Sequence, residues 1–107
     1  MNYKPIVVLG YFLEMGLPEP VFEHVYIPCR KFRLDIAFPA YKVGLEVQGG
    51  LWFKAAHSTG KGIKRDMEKR NLGILHGWDV VECEPCEVCM LETVELLRTV
   101  LRLHGRK

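Results

Sequence analysis

The sequence predicts an α/β domain, ordered helix, three strands, helix, strand, helix. Three observations predict it. Residues 32–38 and 43–48 alternate apolar and polar side chains with the period of two of a half-buried strand. Residues 61–76 place apolar side chains at helical spacing and are followed by a glycine. A further short apolar run then leads into a long terminal segment of helical composition. The chain has 107 residues and is 49% hydrophobic, which suits one domain, 1–107, with a core of its own.

Each element has its local reason. Residues 1–16 read as a helix, with Pro5 in the first turn, Ile6, Leu9 and Leu13 on its buried side, and Gly16 as its C-cap. Pro18 and Pro20 impose an extended linker. Strands are expected at 22–27, ended by Pro28, and at 32–38 and 43–48. In the second strand Phe32, Leu34, Ile36 and Phe38 share one face, and Arg33, Asp35 and Ala37 the other. In the third, Val43, Leu45 and Val47 oppose Gly44, Glu46 and Gln48. A glycine-rich loop spans 49–60. The helix 61–76 buries Ile63, Met67, Ile74 and Leu75 and ends at Gly77. Residues 78–83 form the fourth strand. The last helix runs from near Pro85 to near His104, with acids at its start and arginines near its end, as the helix dipole favours. Its two apolar stripes are Leu91, Val94, Leu97 and Leu101, and Leu96, Val100 and Leu103. One suits the core and the other a homodimer contact.

The net charge of +2 identifies no partner, but its distribution is uneven. Arg30, Lys31 and Arg33 form one basic cluster. Lys54, His57, Lys61, Lys64, Arg65, Lys69 and Arg70 form another. Such clusters either track phosphates or make solvated faces. The apolar stretch 6–17 is broken by Gly10 and Glu14 and is too short to span a bilayer, so a cytoplasmic location with reduced thiols is expected. Cys83, Cys86 and Cys89 are evenly spaced, with Cys29 far upstream. They suit either incidental thiols or a zinc or iron–sulfur site, although a single run lacks the second Cys-x-x-Cys knuckle.

The hairpin carries the chemistry. If residues 39–42 form the turn, Phe38 faces Val43, and counting outward along both strands sets Asp35 opposite Glu46. A one-residue slip would put one strand's apolar set in water. Two carboxylates this close need a positive charge between them, from Arg33 or from a divalent cation.

The pattern Arg33-Leu34-Asp35, then Gly44-Leu45-Glu46-Val47-Gln48-Gly49-Gly50, resembles the core of the PD-(D/E)XK nuclease superfamily. The longer run from Pro28 to Pro39, Glu46 to Trp52, His57, Gly60 to Gly62, Asp66 to Lys69 and Gly77-Trp78 is similar to small phage and bacterial endonucleases of the very-short-patch-repair and virus-type replication-repair kinds. The resemblance covers about residues 22–103. It implies a restriction-endonuclease-like core, a mixed sheet flanked by helices, and Mg²⁺- or Mn²⁺-dependent hydrolysis of DNA, duplex or branched. It implies metal binding by Asp35, Glu46 and the main-chain carbonyl of Val47, with Glu23 or Glu14 as the superfamily's upstream acid. Gln48 stands where the superfamily has lysine. Glutamine orients water or contacts phosphate but carries no charge. Lys69, then Lys61, are the lysines that would substitute, unless Lys69 simply pairs with Asp66 on its own helix. His57 suits a general base, a phosphate contact, a metal ligand or plain surface. Asp66 suits a partner for Arg70 or for His57. Trp52 and Phe53 suit base stacking or a core cap. The backbone of DNA would lie on Arg30, Lys31, Arg33, Lys54, His57, Lys61, Lys64 and Arg65. Two rival readings are a DNA-binding module of the same fold without catalysis and a cysteine-coordinated zinc or iron–sulfur protein.

Overall fold

The computed structural model describes residues 3–48 and 60–105. A four-stranded mixed sheet in the order β1-β2-β3-β4 forms the middle layer. Its strands are β1 (Val21–Val25), β2 (Arg33–Phe38), β3 (Val43–Val47) and β4 (Asp79–Cys83). The first three pair antiparallel, and β4 lies parallel to β3. Helices α1 (Pro5–Glu14) and α3 (Leu91–His104) supply the core on one face, and α2 (Gly60–Leu75) supplies Leu72 to the core on the other. Among the described residues the expected order of helices and strands is present. No helix among the described residues is long and apolar enough to cross a membrane.

The helix ends follow their glycines. Gly16 has φ +80, and the Gly16 and Leu17 N–H groups donate to the carbonyls of Leu13 and Phe12. Gly77, at φ +81, repeats this at the end of α2, where Gly77 and Trp78 donate to Ile74 and Gly73. Both are Schellman closures, which need a residue in the left-handed region. Between β2 and β3, Pro39–Tyr41 makes a single 3-10 turn and Lys42 takes φ 54. Phe38 thereby pairs with Val43, the expected register.

Four expectations need correction. The alternation of β2 is interrupted. Ile36 and Phe38 enter the core under α1 and α3, whereas Phe32 and Leu34 join Ala37, Tyr26 and Trp78 on the other face. Strand β1 changes face at the same level. Phe22 packs against the first core, while His24 lies 5.8 Å from the Trp78 ring in the second. Between them Glu23 sits at φ 51, a conformation that breaks the pleat.

The helices also choose unexpected faces. In α1, Val8 and Phe12 are buried while Ile6 and Leu13 are exposed. This helix is apolar nearly all round, so its periodicity cannot select a side. In α2, Ile63, Met67, Ile74 and Leu75 are all exposed, the last two by 71% and 78%. The contact is made instead by Gly73, flat against the Tyr26 ring, with Leu72 beside it. The last helix starts at Leu91, not at Pro85. Pro85–Glu87 is a separate 3-10 turn closed by a capping box between Glu84 and Glu87. In α3, Val94, Leu97 and Leu101 are buried, and Leu91, Leu96 and Leu103 face outward.

Gly44 is required by a close approach. A Cβ there would lie 2.5 Å from Cδ1 of Leu34, itself fully buried, because the Leu34 side chain lies against the backbone of the neighbouring strand at this point. Gly44→Val is expected to destabilise the fold by about 2–3 kcal/mol through overpacking. Urea unfolding measures it, and a midpoint equal to wild type would mean that Leu34 has room to move.

Candidate functional site

The β2–β3 ladder stops at Ile36 and Leu45. Beyond it, carboxylates replace the main-chain pairing. The Asp35 N–H donates to Glu46 Oε1 at 3.2 Å, and the Val47 N–H donates to Asp35 Oδ2 at 2.8 Å. Each acid is thus fixed by the backbone of the other strand. The two residues that the hairpin register brings opposite each other are joined in a reciprocal clasp.

Lys69 of α2 completes this corner. Its Nζ lies 3.1 Å from Glu46 Oε2, and both side chains are mostly buried, 21% and 17% exposed. The cation beside Glu46 is therefore Lys69, not Arg33, and Lys69 is not engaged with Asp66. The Tyr26 hydroxyl donates to the Lys69 carbonyl at 3.3 Å and holds this part of α2 to the sheet. Burial raises the Glu46 carboxyl above its ordinary value. Lys69 pulls it down, and Asp35 adds to the rise.

Gln48 has a defined role in this geometry. Its Nε2 donates to Glu82 Oε1 at 2.8 Å, and its main-chain N–H donates to the Cys83 carbonyl. An ionised carboxylate only accepts, so Glu82 selects the amide nitrogen of Gln48 and turns its carbonyl oxygen away. Glu82 is the register partner of Glu46 on β4, and Arg70 lies 3.7 Å from it. Consecutive residues of α2, Lys69 and Arg70, therefore serve neighbouring carboxylates on neighbouring strands. Sequence reasoning missed Glu82, because no local signal sets β4 beside β3.

On the other side of the hairpin, the β1–β2 register places Glu23 level with Asp35. The buried Tyr3 hydroxyl has no hydrogen-bond partner among the described residues. Burial, with the negative charges of Asp35, Glu23 and Glu46, raises its pKa. Tyr3 was also missed, for it lies far from the hairpin in sequence. A cavity of about 360 Å³ opens against Glu46, between α2 and the sheet, and Tyr26, Gln48, Lys69, Trp78 and Glu82 line it. Asp66 lines it too, one turn before Arg70.

Among the described residues, no group of three or more His, Cys, Asp and Glu side chains is placed to hold a metal ion. Cys29, Cys83, Cys86 and Cys89 are free thiols, and only Cys83 is buried. The corner fits a different demand. Mg²⁺ takes one or two carboxylates and fills its remaining positions with water and other oxygens. Asp35 is anchored through one oxygen, while Glu46 holds the Asp35 N–H through Oε1 and Lys69 through Oε2, so an ion at this corner would take the second Asp35 oxygen and share Glu46 with Lys69, with the Val47 carbonyl as the further ligand that would join them. Of the other expected residues, Arg30, Lys31, Lys61, Lys64 and Arg65 line a second cavity. Arg33 is exposed at the start of β2. Lys54, His57, Trp52 and Phe53 lie outside the described residues.

No family model, curated protein or solved structure matches the chain.

Proposed function

We propose that this protein is a metal-dependent endonuclease that hydrolyses DNA phosphodiester bonds on a restriction-endonuclease-like core. The observation that carries the reading is the reciprocal clasp of Asp35 and Glu46 with Lys69 on Glu46, since it joins two facing acids and a cation at the positions the motif resemblance marks. Asp35, Glu46 and the Val47 carbonyl would hold Mg²⁺ or Mn²⁺. When bound, that ion supplies charge stabilisation at the phosphoryl group and a more acidic water.

The chain's own groups do the rest. The main-chain N–H groups of Asp35 and Val47 fix the carboxylates before substrate arrives, which avoids reorganisation. Lys69 reaches the corner from α2 and takes the place of the lysine that Gln48 displaces, with its ammonium next to the scissile oxygens. Gln48, held by Glu82, sits beside the attacking water. The exposed apolar stripe of α3 is the surface for a homodimer.

Supercoiled plasmid and a branched DNA, each with Mg²⁺, Mn²⁺ or EDTA, test the reading. Cutting in either metal and none in EDTA is expected. Binding without cutting in any metal would favour the non-catalytic DNA-binding module.

A further inference from the structure

A second cavity, about 460 Å³, lies between the β1–β2 link and the first half of α2. Arg30, Lys31, Lys61, Lys64 and Arg65 line it, and Glu68, held by Arg30, is the one carboxylate among its described lining residues. The Arg30 and Arg65 guanidinium carbons lie 4.6 and 5.6 Å from the centroid of the same ring, Phe32. Phe32 is buried, so the ring is fixed and orients both cations. Five cations against one anion repel each other, and a bound anion offsets that repulsion.

The cavity is separate from the carboxylate corner. Lys61, Lys64, Arg65 and Glu68 share one flank of α2, and Asp66, Lys69, Arg70 and Gly73 share another, roughly 150° around the helix at 3.6 residues per turn. Lys61 precedes Lys64 and Arg65 by about one turn, or ~5 Å along the axis. The cations therefore form a row, which suits successive phosphates of a strand better than one small anion. Arginine forks match phosphate oxygens in pairs.

We propose that this cavity is a second phosphate site, which takes the sugar–phosphate backbone of a nucleic acid on the flank of α2 away from Asp35 and Glu46. The proposal rests on the nucleic-acid part of the function proposed above, not on hydrolysis.

The test is fluorescence anisotropy of a labelled 20-base-pair duplex, titrated with protein in EDTA over a range of salt concentrations. Lys64→Ala/Arg65→Ala is compared with Lys4→Ala/Arg102→Ala, which removes the same charge from exposed positions at the N-cap of α1 and on α3. The first pair is expected to bind at least about tenfold more weakly at low salt and to lower the slope of log affinity against log salt by about two. The second pair is expected to leave both values near wild type. Inorganic phosphate is expected to displace the duplex no better than chloride at equal ionic strength. Equal behaviour of the two pairs, absence of duplex binding by wild type, or specific displacement by phosphate would each overturn the proposal. Cleavage with an unmoved salt slope would sink this site and leave the nuclease reading standing. Binding that follows the expected pattern without cleavage would do the reverse.

Discussion

Asp35→Asn and Glu46→Gln are each expected to reduce metal-dependent cleavage to background, a loss on the order of 10³-fold or more. The amides are chosen because the carboxylates also serve the fold. Asp35 accepts the Val47 N–H and Glu46 accepts the Asp35 N–H, and alanine would orphan those donors at a cost of about 1–3 kcal/mol each. An amide oxygen still accepts that bond but brings no charge to a metal. Asp35→Asn should therefore unfold near the wild-type temperature while failing to cut, whereas Glu46→Gln also leaves the mostly buried Lys69 ammonium without its carboxylate and should unfold at a lower temperature. Plasmid nicking and thermal unfolding, measured on the same preparations, separate the two effects. Wild-type cutting by Asp35→Asn would remove the corner from consideration as the site.

Lys69→Met is expected to lower the cleavage rate by about 10²–10³-fold, as loss of a charged group aimed at a developing oxyanion does. Gln48→Lys in that background should recover at least part of the loss, because it returns an ammonium to the strand beside the same corner. Full activity in Lys69→Met would show that the cation on Glu46 is structural only. The pair also sets a pH dependence. Burial holds the Glu46 carboxyl above its ordinary value of 4.5, so over the interval up to the folded value the native state keeps a proton that the unfolded chain has released. Stability from this group therefore falls as pH rises through that interval. Lys69 lowers the folded value, and its removal widens the interval. In metal-free protein, urea midpoints taken from pH 4.5 to neutrality should decline further in Lys69→Met than in wild type. Parallel curves would mean that the two charges are not coupled.

Much of this arrangement was legible in the residues. The element order followed from periodicity, and the closing glycines marked where α1 and α2 stop. The hairpin was the most informative piece, since a four-residue link fixed the register and the register set Asp35 against Glu46. What failed were choices of face. Helix α1 is apolar on too many sides for its sequence to name the buried one. Helix α2 rests on Gly73 and Leu72, which contribute little to an apolar stripe, and turns its larger apolar residues outward. In β2 the alternation predicted one apolar face, but the break at the level of Glu23 and Asp35 divides Phe32 and Leu34 from Ile36 and Phe38. The same level carries the acids, so the irregularity and the candidate site coincide.

The sequence by itself determined what neighbours in the chain can decide: where strands and helices run, how the hairpin closes, and that two acids oppose each other. These depend on pleat, turn chemistry and a short loop. Only the tertiary structure decided that Lys69 rather than Arg33 meets Glu46, that Glu82 holds Gln48, and that Lys61, Lys64 and Arg65 of α2 lie on a flank away from Asp35 and Glu46. Those contacts join strands and helices distant in the chain. They were settled by the parallel pairing of β4 with β3 and by the side on which α2 packs, and both are outcomes of the whole core.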